Sequence, residues 1–137
     1  MQLTRRHLAA LLPALAQAAD KTPMPSATFN HDDLKVKTNG ENTSRDFFSG
    51  YTHSGFHIDM HETDLAPGMA PHAAHHHEHE ELLMLRTGTL EVTIDGKVTK
   101  AGPGSAIYVA SGLEHGWRNV GTTRAAYFVM ALGRDPK

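Results

Sequence analysis

The chain has 137 residues, a formal charge of −2, 11 histidines and no cysteine. That length holds one domain with a proper core and argues against a second. The missing cysteine excludes a disulfide framework, a thiolate metal site and a cysteine nucleophile; the acidic balance, with no basic cluster, argues against a nucleic-acid partner.

In chain order, Thr4-Arg5-Arg6-His7 leads into an apolar, alanine-rich run from Leu8 to Ala16, with small residues again at Ala18 and Ala19. A basic start, a short apolar stretch and an Ala-x-Ala site make an export signal over residues 1–19. The paired arginines resemble the twin-arginine type, so an exported, periplasmic protein is expected. The apolar run is too short for a permanent membrane anchor. Residues 20–49, with Pro23 and Pro25 close together and few apolar side chains, read as an extended arm with room for one short strand.

From Phe56 the pattern turns to a period of two. Phe56, Ile58 and Met60 alternate with His57, Asp59 and His61, and Pro67-Gly68 closes the segment. Further strands are expected at Glu81–Arg86, Thr89–Asp95, Lys97–Lys100, Ser105–Val109, His115–Asn119 and Ala125–Leu132. Asp95-Gly96 is the signature of a two-residue type I′ hairpin, and the Ala101-Gly102-Pro103-Gly104 and Ser111-Gly112 stretches punctuate the later strands. Many short strands with Gly and Pro turns, and no sustained 3.6 period, predict an antiparallel all-β sandwich or barrel over residues 50–132, with a tail at 133–137.

The segment His75-His76-His77-Glu78-His79-Glu80-Glu81 concentrates the chemistry. On an extended strand, residues i and i+2 share a face, so His75 and His77 can grip one ion and Glu81 adds an oxygen without a change of parity. Imidazole with carboxylate suits a divalent first-row metal such as Mn, Fe, Co, Ni, Cu or Zn. Parity alone leaves His79 on that same face, unless the chain bends before Glu81. His115 follows one hairpin later.

Two spaced motifs resemble those of the cupins, small jelly-roll barrels. The first family motif, G-x5-H-x-H-x3,4-E-x6-G, is matched by His75-x-His77-x3-Glu81-x6-Gly88, with Gly68 one residue further upstream than usual. The second, G-x5-P-x-G-x2-H-x3-N, is matched by Gly104, Gly112, His115 and Asn119, with Ala110 in place of the usual proline. The resemblance implies a double-stranded β-helix, or jelly-roll barrel, in which His75, His77, Glu81 and His115 ligate a divalent transition metal, with Mn, Fe, Ni, Cu and Zn all suited. It leaves coordination positions for water or substrate.

His72, His76 and His79 are then expected at the rim of the site or hydrogen-bonded to ligands. Trp117 and Asn119 share the parity of His115 and so face the pocket. His57 and His61 approach the metal if their face looks inward; the simpler expectation is that they meet water. Leu82 and Met84 face outward and need cover, either from the arm or from a second subunit in a homodimer, as is common in this family. The implied function is action on a small molecule by oxygenase, oxidase, isomerase or lyase chemistry. The alternative is a non-enzymatic cupin that binds a metal or small ligand.

Overall fold

The computed structural model describes residues 21–134; the export signal read over residues 1–19 and the end of the tail, residues 135–137, lie outside the described residues. Among the described residues, a single 3-10 turn, His31–Asp33, precedes nine strands: β1 (Val36–Asn39), β2 (Asn42–Tyr51), β3 (His57–Leu65), β4 (Glu80–Leu85), β5 (Leu90–Ile94), β6 (Lys97–Ala101), β7 (Ala106–Val109), β8 (His115–Asn119) and β9 (Ala125–Gly133). No helix among the described residues is long and apolar enough to cross a membrane. The strands form a six-stranded sheet, ordered β1-β2-β3-β9-β4-β7, and a three-stranded sheet, ordered β6-β5-β8. Every pairing between strands is antiparallel.

Alternation builds the core between the two sheets. Leu83 and Leu85 of β4, Leu90 and Val92 of β5, Val109 of β7, Trp117 of β8, and Tyr127 and Val129 of β9 are all buried in one cluster. The expected outward set is also observed: Leu82 and Met84 are 39% and 57% exposed, while Leu83 between them is fully buried. Asp95 and Gly96 adopt φ of 48° and 75°, the positive pair that a type I′ turn demands. Gly88 turns the chain between β4 and β5 at φ 81°, and a Cβ there would lie 2.5 Å from the Ala125 Cα.

The stretch read as an arm contributes more than one short strand. Residues 36–51 form the β1–β2 hairpin, and the ten-residue β2 pairs with β3 along its length. Its apolar content is low because its inner face, Ser44 and Asp46, borders a cavity rather than the core. A bulge after Asp46 shifts the register, so Phe48 pairs with Met60. Phe47 meets Phe128, and Phe48 meets Phe29 of the preceding segment.

That preceding segment lies along β2. Pro23 bridges Tyr51, Met24 N donates to Tyr51 O, and the Met24 side chain occupies the notch over Gly50, where a Cβ would lie 2.5 Å from it. Within one chain, the described arm does not cover Leu82 and Met84. It covers β2, and leaves Leu82, Met84, Tyr108 and Leu132 as exposed neighbours on β4, β7 and β9.

Candidate metal centre

The loop between β3 and β4 carries two of the expected ligands against β8. His75 and His115 exchange backbone hydrogen bonds of 3.0 and 2.8 Å, and Gly112 N donates to His77 O at 2.8 Å. The chain bends at Glu78 and His79, the alternative left open by parity, and β4 begins only at Glu80, close to the expected start at Glu81. The His115 ring centroid lies 4.8 Å from those of both His75 and His77. Glu81, on the inner face of β4, closes the group: Oε1 is 3.2 Å from His77 Nε2, and Oε2 is 3.4 Å from His115 Nε2.

Hydrogen bonding fixes which ring atoms are offered. Nδ1 of His77 lies 2.8 Å from His79 O, and Nδ1 of His115 lies 2.8 Å from Leu113 O. A carbonyl only accepts, so each Nδ1 carries its proton, and the neutral ring presents a lone pair at Nε2. In that neutral form the two Nε2 lone pairs face the Glu81 carboxylate, an arrangement that a shared cation would satisfy. His75 Nδ1, His77 Nε2, His115 Nε2 and Glu81 Oε2 are all buried without a hydrogen-bond partner. Such groups are costly unless something satisfies them together, and one divalent cation fits this donor set. Burial, aided by His72 and His115, lowers the pKa of His75, which favours the neutral imidazole that ligation requires.

The remaining histidines separate by position. His72 packs edge-on against the His75 ring at 4.3 Å and reaches toward Trp117, at the rim as expected. His76 is exposed. His79 stands beside the ligands, in keeping with the expectation of a rim or ligand-bonded group: its carbonyl accepts from His77 Nδ1, its ring stacks on His77 at 3.5 Å and 12°, and its Nε2 lies 3.7 Å from Glu81 Oε1. Metal-binding geometry accordingly falls into two overlapping sets, His75-His77-His115 and His77-His79-Glu81.

A cavity of about 280 Å³ adjoins Glu81 and is lined by His61, Thr63, His72, Trp117, Tyr127 and Val129, with Lys37, Ser44 and Asp46 of the hairpin at its edge. The face of β3 that carries His61 thus looks inward, against the simpler expectation of solvent. The reason is the register: His61 pairs with Val129, which pairs with the buried Leu83. His57 lies further along that face, near the strand's end, against Tyr51 and Ser49. Trp117 stacks near His115 and donates from Nε1 to the Tyr127 hydroxyl at 2.7 Å, so it is both core and cavity wall. Asn119 is fully buried but serves the loops, bonding to Leu65 O, Thr123 O and Gly121 N.

Sequence reasoning missed Tyr127, Thr63 and the hairpin residues Lys37 and Asp46, which form an ion pair. Strand parity carried a signal for Tyr127, since it alternates with Ala125 and Val129; the hairpin carried none. Burial pushes the Tyr127 phenol far above its ordinary value, so it remains protonated.

A family model described as a cupin domain matches residues 61–131. No curated protein matches the sequence. Among solved structures, the fold is similar to an RmlC-like cupin from Shewanella frigidimarina, at 16% identity and a TM-score of 0.66, covering 79% of this chain and 92% of that one. It is similar also to the polyketide cyclase RemF from Streptomyces resistomycificus, at 20% identity and a TM-score of 0.65, covering 79% and 80%. A predicted oxalate decarboxylase from Thermotoga maritima is 14% identical with a TM-score of 0.65, covering 78% and 99%. At these identities the likeness is one of fold.

Proposed function

This chain belongs to the cupin family, and from that premise we propose that it holds a divalent transition metal on His75, His77, Glu81 and His115 and acts on a small oxygen-bearing molecule in the adjoining cavity. The observation that carries the reading is the buried, unpartnered donor atom on each of those four residues. Mn, Fe, Ni, Cu and Zn all suit three imidazoles and a carboxylate. When bound, such an ion supplies Lewis-acid polarisation or redox chemistry, which accommodates oxygenase, oxidase, isomerase or lyase reactions. Similarity in fold to a polyketide cyclase and a predicted oxalate decarboxylase supports a small oxygenated substrate.

The chain's own residues shape what that cavity accepts. Its volume of about 280 Å³ limits the guest to a small molecule. Trp117 and Val129 supply apolar walls, and His61 and His72 supply polar contacts at one side. The Tyr127 hydroxyl accepts a hydrogen bond from Trp117, meets the Thr63 side chain and keeps its own proton, so it does not serve as a base.

The same reading includes a homodimer built on the exposed face of β4, β7 and β9, and export to the periplasm, which the basic and alanine-rich start of the chain supports. The decisive experiment is elemental analysis after dialysis. Wild-type protein should retain a divalent ion, and the His75→Ala, His115→Ala double variant should retain none; undiminished retention in that variant would refute the site. Screening the loaded protein for turnover of small acids, diketones, phenols and sugars, with and without oxygen, then separates the reaction classes.

A further inference from the structure

The position of His79 is not explained by the four-ligand site. Its Nε2 is too far from Glu81, at 3.7 Å, for a hydrogen bond that would orient the carboxylate. Nor does it belong to the three-histidine set; it forms a separate set with His77 and Glu81. The two sets share His77, and Glu81 faces both ways, with Oε1 toward His77 and His79 and Oε2 toward His115.

Exposure falls along this series. The side chains of His79, His77, Glu81 and His115 are 29%, 16%, 11% and 0% exposed. His79 also lines a second cavity of about 560 Å³, together with Glu78 and Glu80, while the smaller cavity meets Glu81. That larger cavity is lined by Arg134 as well as the two carboxylates, and of the residues in the two donor sets it meets His79 alone. Ligand atoms of His77, His79 and Glu81 lie within 4.8 Å of one another.

We propose that His79, His77 and Glu81 form a capture position for the divalent cation, from which it moves to the inner donors as His79 is exchanged for His75 and His115. His77 stays bound throughout, and the Glu81 carboxylate spans both positions. The ion is therefore never stripped of all protein ligands on its way to a fully buried imidazole. No covalent bond forms or breaks; one nitrogen donor is exchanged for others. The inference rests on the metal reading above and adds to it a route of entry.

The test is metal uptake by metal-free, full-length protein, followed by stopped-flow absorbance after mixing with cobalt(II). Two His79 variants and one control, His76→Ala, are compared with wild type: the former are His79→Ala, and His79→Phe, which keeps a ring stacked on His77 without the nitrogen. Both should load more slowly, by about tenfold or more, the scale on which charged entrances alter on-rates. Both should reach wild-type stoichiometry with an unchanged final cobalt spectrum, and His76→Ala should load at the wild-type rate. An unchanged loading rate in the His79 variants would overturn the proposal. So would an altered final spectrum or stoichiometry, which would make His79 a ligand of the resting site. Failure of the wild type itself to take up cobalt would instead defeat the underlying metal reading.

Discussion

Glu62 shows how one residue can reverse the expectation attached to its surroundings. It lies on the outer face of β3, pairing across to Phe128, yet it is only 2% exposed. Arg86 Nη2 lies 2.7 Å from one of its oxygens, and His31 Nε2 lies 2.7 Å from the other, with Arg45 at 3.5 Å. His31 thereby ties the segment before β1 to the sheet. The pKa of His31 is raised above 6.5, first by its bond to Asp32 and then by Glu62, against burial and Arg45. A raised folded-state value means that the contact adds stability fully below pH 6.5 and loses it as pH rises through the folded value. Proton NMR should give a His31 midpoint above 6.5, and Glu62→Gln should lower it. A midpoint at or below 6.5 would show that the clasp is not ionic.

Among the elements, the turn between β4 and β5 has the least tolerance for change. Gly88 holds φ 81°, and any Cβ would fall 2.5 Å from Ala125 Cα and 2.7 Å from Arg124 O. Those neighbours are backbone atoms at the start of β9 and cannot swing away. Gly88→Ala should therefore destabilise the fold by about 3 kcal/mol or more, combining strain at positive φ with displacement of packed backbone. Urea denaturation would measure this, and a loss under about 1 kcal/mol would mean that the turn can rearrange. The consequence reaches the site, because β4 carries Glu81 and pairs with both β7 and β9.

At the scale of the whole molecule, the six-stranded sheet is unevenly covered. The segment from Pro23 to Asp33 protects the β2 side, while Leu82, Met84, Tyr108 and Leu132 form a continuous exposed group on the other. Leu82 is the cross-strand partner of both Tyr108 and Met130, and Glu80 is that of Leu132, so these side chains are true neighbours. Apolar groups arranged this way mark an interaction surface more often than scattered exposed residues do. Sedimentation velocity should find a dimer in the wild type and a monomer for the Leu82→Lys, Met84→Lys double variant, with metal content unchanged. A monomeric wild type would remove the homodimer from the proposal.

The sequence by itself determined the all-β class, the hairpin at Asp95-Gly96 and the direction in which β4 faces, because each depends on local rules: the alternation of side chains and the backbone preferences of glycine. Its resemblance to two cupin motifs also singled out His75, His77 and Glu81 in the first and His115 in the second. Only the tertiary structure decided where His79 and His61 stand, that Tyr127 joins the cavity, that β1 and β2 complete the sheet, and that Glu62 is buried on an outward face. Those outcomes depend on which strand lies beside which and on where a chain bends between regular elements. Such choices arise from packing between distant segments, for which neither periodicity nor residue type carries a signal.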